Sequence, residues 1–382
     1  MRAIYWEPRK VEKRTLLLIC GIAIAGVLVV ELCRRNMLGL PDNSARFAAA
    51  KLAEEAMQTI REERLARGHA FDPQFDPALS GMIGEYLTPT TSVTGHLESK
   101  QTSVNPNFAG AIVDMLEKAG VKEGDVVAVG CSGSFPALNL CTFCALETLK
   151  AKPVIIASTG ASQFGANRPD LLWIDMERLL YDKGLISFHS VAASLGGYED
   201  QAQGMTEEGR QLLKDGIERN NLPLLKDEEF SDSVASRLAI YEEHAEGKPI
   251  KAYINVGGGT VSVGRSVGKK LYEPGLNLIA TPEAMEIDSV MTRFAKQGTP
   301  LVHLVEIMQL AEAYHLPPAP LETPKAGEGW IFFDTWLHRW LAAGFLLVLG
   351  VALAGMSRQV SVEKTSILTL PFDQEPAQDK AA

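Results

Sequence analysis

Ser132 and Ser134 lie in the run Val129-Gly130-Cys131-Ser132-Gly133-Ser134-Phe135-Pro136. An apolar strand feeds a glycine turn, and proline opens the helix that follows. Backbone N–H groups left free at a helix start receive anions. Ser132 and Ser134 are therefore expected to cap that helix or to contact a ligand, and Gly133 is a candidate ligand-binding residue beside them. A plain strand–helix turn with a serine cap explains the same residues equally well. A hydrolytic role would make Ser132 or Ser134 the nucleophile and needs a base within hydrogen-bond reach. His189 or a carboxylate is the candidate base.

Other segments repeat the theme. Ser158-Thr159-Gly160-Ala161-Ser162, Gly196-Gly197 and Asn255-Val256-Gly257-Gly258-Gly259-Thr260 each follow an apolar stretch. Lys100, Asn105, Asn167, Asp170, Asp175 and Asp200 are further polar candidates. His303, inside Leu301-Val302-His303-Leu304-Val305, reads as a satisfied core residue. Three motifs fall short. A nucleophile elbow wants glycine where Ser134 stands. A P-loop wants a lysine that is missing at its spacing. The Asn255–Thr260 turn resembles the phosphate hairpin of actin-like ATPases, but begins with Asn where that hairpin has Asp. Cys141 and Cys144 form a CxxC one turn inside a helix, which reads as two small buried residues. With Cys131 they leave room for one disulfide in an oxidising compartment. No metal and no cofactor is expected.

Positioning these residues requires alternating elements. Helices are expected from Ser44 to Arg67, over Phe108–Ala119, from Pro136 to Lys150, and over Met176–Lys183, Met205–Asn220, Ser231–Glu246 and Glu306–Tyr314. Strands are expected over Asp125–Val129, Pro153–Ala157, Ile186–Ala193 and Ala252–Val256. This alternation predicts an α/β fold, a mostly parallel sheet with helices on both faces. Ligands of such sheets bind beyond the carboxyl ends of the strands.

The chain has 382 residues and a net charge of −10, so bulk attraction to nucleic acid is excluded. Two apolar runs, 15–32 and 336–356, match the length of a bilayer span. The first could also be a signal peptide and the second a buried core helix. Absence of a small-residue cleavage site, and aromatics crowding the entry of the second run, favour one transmembrane helix at each end. The expected organisation is a basic N-terminus over 1–14, a span over 15–32, and a linker with an amphipathic helix over 33–78. The α/β domain over 79–329, a span over 336–356 and a tail over 357–382 follow. Basic residues near the spans put both termini in the cytoplasm, giving a two-pass membrane protein with an extracytoplasmic domain and the lipid bilayer as a partner.

Several segments together resemble the poly-gamma-glutamate system protein family. They are Gly95–Phe108, Cys131–Pro136, Ser158–Asn167, Gly196–Asp200 and Asn255–Gly259. The resemblance spans roughly residues 80 to 330. It implies an accessory role in making or exporting a γ-linked glutamate polymer at the bacterial cell envelope, beside membrane-bound synthase subunits. It implies no catalytic residue. The expected function is binding of a small anionic or glutamyl ligand, or of a synthase partner. The alternatives are a serine-dependent hydrolase or transferase of γ-glutamyl bonds, and a structural scaffold.

Overall fold

A computed structural model of the chain describes residues 13–36, 44–227, 229–332 and 335–360. They fall into two compact units, divided near residues 38 and 334. The larger unit is built on a six-stranded sheet. Its strands are β1 (Val126–Ser132), β2 (Lys152–Ser158), β3 (Ala192–Ser194), β4 (Ile250–Val256), β5 (Gly275–Asn277) and β6 (Leu301–Leu304), in the spatial order β3-β2-β1-β4-β6-β5. All neighbours are parallel except the edge pair β6–β5, which makes the sheet mixed.

Strand periodicity decides the layers. Successive side chains point to opposite faces. Val127 and Val129 enter one core, with the helices Ala45–Ala66, Phe108–Lys118, Pro136–Thr148 and Trp173–Asp182. Val126 and Ala128 enter the other, with Phe230–His244 and Val290–Lys296. β1 is fully buried, and its unbroken apolar sequence reflects burial on both faces. Phe143 sits edge-on to Trp173 at 5.4 Å in the first core, and Tyr253 stacks on Phe294 at 5.0 Å in the second. Each such ring pair adds about 0.5–1.5 kcal/mol beyond burial.

The helix expected from Ser44 is present as Ala45–Ala66, and the Ser44 hydroxyl accepts from Phe47 N at 3.3 Å. Its Ala49, Ala53, Ala56 and Ile60 are fully buried. It is therefore a layer of the α/β unit. Only the end of the expected Ile186–Ala193 strand is one, as β3.

The second unit holds the helices Lys13–Asn36 and Thr335–Val360. Phe345 packs where a β-carbon on Gly26 would stand, 1.8 Å from the ring, so only glycine permits this approach. Leu17, Leu18, Val27, Leu347 and Val351 are exposed. Among the described residues, no helix is long and apolar enough to cross a membrane. The expected spans at 15–32 and 336–356 are corrected accordingly. The two-pass localisation, with both termini cytoplasmic and the domain outside, falls with them. Residues 1–12 and 361–382, the bulk of the two tails, lie outside the described residues.

Candidate functional site

The sheet order places a topological switch between β1 and β4. From β1 the chain runs outward through β2 to β3, then returns to the other side of β1 as β4. A crevice opens beyond the carboxyl ends of two strands whose connections leave in opposite directions. Ser132, Ser158 and Ser194 end β1, β2 and β3 in one register row, and Asn255, next to last in β4, pairs with Gly130 two residues short of that row. These residues, with Asp200, Arg237, Gly259 and Ser262, line one cavity.

The turns are shaped to leave this row clear. Gly257 has φ +87°, and a β-carbon there would stand 2.9 Å from Ser132 Oγ. Asn255 Nδ2 donates to Gly257 O at 2.6 Å and to His303 Nδ1 at 3.1 Å. The other ring nitrogen, His303 Nε2, faces Lys269 O at 3.3 Å. That pair of contacts fixes the neutral tautomer with the proton on Nε2, and burial pushes the pKa down to about 4. His303 is the satisfied core residue its context suggests, and it orients Asn255.

On the β1 side, Asn139 Nδ2 donates to Ser132 O at 2.8 Å. Ser134 N points at Ser132 Oγ at 3.4 Å, and Ser134 Oγ accepts from Ser162 N at 3.1 Å. Neither serine caps the helix: its N-cap is Phe135, without a side-chain bond.

Lys100 anchors the turn. It is 2% exposed. Its ammonium donates to Ser134 O and to Ser162 Oγ at 2.8 Å, and lies 3.8 Å from the Phe135 ring centroid. It has no carboxylate partner among the described residues. Burial pushes its pKa down to about 7, while the carbonyl, the hydroxyl and the ring face favour the charged form. A cation without a counter-charge thus sits behind the Ser132–Ser134 turn of an acidic chain.

Ser194 Oγ donates to Asp200 Oδ1 at 2.8 Å, and Arg237 Nη2 donates to Asp200 Oδ2. Arg237 and Asp200 form a nearly buried ion pair. Glu199, Asp200 and Ala202 all have positive φ, as do Gly196, Gly197 and Gly204. Thr260 Oγ1 donates to Gly197 O at 3.3 Å, and Arg265 pairs with Glu199 at 2.8 Å, so this loop lies against the Gly257–Thr260 turn. It closes the crevice to a volume of ≈ 20 Å³, room for about one water.

Ser132, Asp200, Asn255 and Gly259 thus line one cavity, with Gly257 against Ser132 and Gly196–Gly197 in the loop that closes it. Gly133, Ser134, Lys100 and Ser162 form the supporting turn. Gly258 is exposed. Asn167 is a clamp: its side chain bonds Glu85 N, Glu85 O and Thr91 Oγ1. Asn105 Oδ1 accepts from Asn107 N within its own turn. Asp170 and Asp175 hold His69 and Arg219. His189 is exposed, packs on Tyr181 and precedes β3, at the opposite end of the sheet from Ser132. It cannot serve either serine as a base. Cys131, Cys141 and Cys144 are free, and burial raises each thiol pKa.

Sequence reasoning missed Ser194, Arg237 and Ser262. Arg237 did carry a signal. It interrupts the buried stripe Ser233, Val234, Tyr241 of its helix, and a buried arginine demands a partner.

Comparison with family models, with curated proteins and with solved structures finds no match.

Proposed function

We propose that this chain is an accessory protein of poly-gamma-glutamate synthesis or export, and that its α/β unit binds a small anionic or glutamyl group at the strand ends. One observation carries the reading. Ser132, Ser158 and Ser194 converge at the switch point beside Asn255, Arg237 and Gly259, and Lys100, outside that lining, braces the adjoining turn through Ser134 O and Ser162 Oγ. Hydroxyls and a glycine turn suit a carboxylate or phosphate oxygen. Such a site selects a chain end even though the chain's net charge opposes a polyanion. A synthase subunit is the natural partner for a protein that holds the polymer end. The test is polymer output with Ser132→Ala and Ser158→Ala variants whose folding is checked by thermal melting. Reduced output is expected. Unchanged output from folded variants overturns the site.

A serine-dependent γ-glutamyl hydrolase or transferase is the second reading. This reading moves the nucleophile from Ser132 or Ser134 to Ser162, whose Oγ lies 2.8 Å from Lys100 Nζ, since a lysine near neutrality can deprotonate a serine. Labelling of Ser162 by a fluorophosphonate probe, lost in Lys100→Met, would support that reading. An unlabelled native protein removes it.

A further inference from the structure

Two cavities meet at one side chain. Asp200 lines the strand-end crevice and also a far larger groove of ≈ 740 Å³. Leu195, Ile217, Leu224 and Leu225 give that groove apolar walls, and Gln211 and Lys214 stand among its polar residues. Its volume is that of a site for a sizeable small molecule.

Between the two lies the Asp200–Arg237 pair. Arg237 is 5% exposed, and Asp200 is its one carboxylate partner among the described residues. Asp200 reaches it only from a loop in which Glu199, Asp200 and Ala202 hold φ of +51°, +62° and +53°. Non-glycine residues hold that region only where surrounding contacts impose it. A guanidinium fork fits any carboxylate, and a buried arginine must not be left unpaired. The aspartate can therefore be exchanged only for another anion.

We propose that Arg237 is the receptor for a ligand carboxylate, that Asp200 occupies it as an internal stand-in, and that the groove receives the body of a carboxylate-terminated peptidyl or acyl chain. This rests on the strand-end reading and specifies its ligand. Displacing Asp200 joins the groove to the crevice, so the chain end passes Arg237 toward Ser132. Charge is conserved, since one carboxylate replaces another.

The experiment is calorimetric titration of the full chain with a γ-linked glutamate dimer, in parallel with thermal melts. Asp200→Asn removes the internal competitor and should tighten the dimer about tenfold or more. Arg237→Gln should abolish binding. Gln211→Trp, at an exposed position of the groove, should block the dimer. Because Asp200→Asn strands a buried arginine, its melting temperature should fall, and saturating dimer should restore it by more than it raises the native protein. Equal or weaker binding by Asp200→Asn, with no such restoration, overturns the proposal. If the native protein binds and Ser132→Ala weakens it while Asp200→Asn does not tighten it, only this inference fails. If Asp200→Asn tightens binding but Ser132→Ala is silent, the strand-end reading fails and Arg237 stands. If neither the native protein nor Asp200→Asn binds, both fail.

Discussion

Lys100 Nζ stands 2.8 Å from Ser162 Oγ and 3.8 Å from the centre of the Phe135 ring. The two contacts, with the Ser134 carbonyl, tie the first short helix of the domain to two separate strand-end turns. A lysine in that position is an electrostatic part as well as a brace, because none of its partners is acidic.

The consequence for stability has a definite sign. The folded pKa of Lys100 is pushed down to about 7 from 10.5. Between those values the unfolded chain binds more protons, so stability rises with pH across that window. Lys100→Met should remove the rise. At about 1.4 kcal/mol per pKa unit, the difference between the two denaturation profiles should grow by up to a few kcal/mol from pH 7 to 10. Parallel profiles would show that the lysine does not titrate as described.

Glu177 runs the other way. It is buried, held by Ser190 N and, at 2.9 Å, by Ser190 Oγ, and burial raises its pKa to about 7 from 4.5. The folded state binds the extra proton between those values, so this group's contribution is present in acid and lost as pH rises through 7. Glu177→Gln keeps the shape and abolishes the loss. Melting temperatures of the two proteins should therefore diverge in the variant's favour from about pH 5 to 7. A constant gap would contradict the assignment.

Gly257→Ala tests the shape of the site directly. Alanine at φ +87°, 2.9 Å from Ser132 Oγ, should cost about 1–3 kcal/mol in urea denaturation and weaken anion binding. Gly258→Ala, on the exposed side of the same turn, should do far less. Equal effects would mean that the turn, and not its approach to Ser132, is what matters.

Much of this fold was legible in the sequence. β1, β2 and β4 are buried on both faces along most of their length, so they appear as short apolar runs leading into small or glycine residues. β6 was missed because His303 interrupts Leu301–Leu304, and its partner Asn255 lies on another strand. The helix Leu97–Ser103 carries no sequence signal of its own, since its hydroxyls look like turn chemistry when tertiary contacts are unseen. Ile186–Ala193 was read as strand, but Ser190 turns aside to Glu177. The strand-end location followed from topology alone. The Asp200–Arg237 pair did not, because a contact between loop and helix leaves no spacing to count.

The order of strands has a further consequence, for synthesis. β1, β2 and β3 leave the ribosome first, carrying Ser132, Ser158 and Ser194. Their central neighbour β4 follows about 120 residues after β1, roughly 6–25 s later at ordinary translation rates. Until then one side of β1 has no partner and the site is half a site. Pairing across such a separation closes a long loop and is intrinsically slow. The nascent chain therefore spends that interval with an open β1 edge, and ligand recognition is a property that it acquires only when β4 docks.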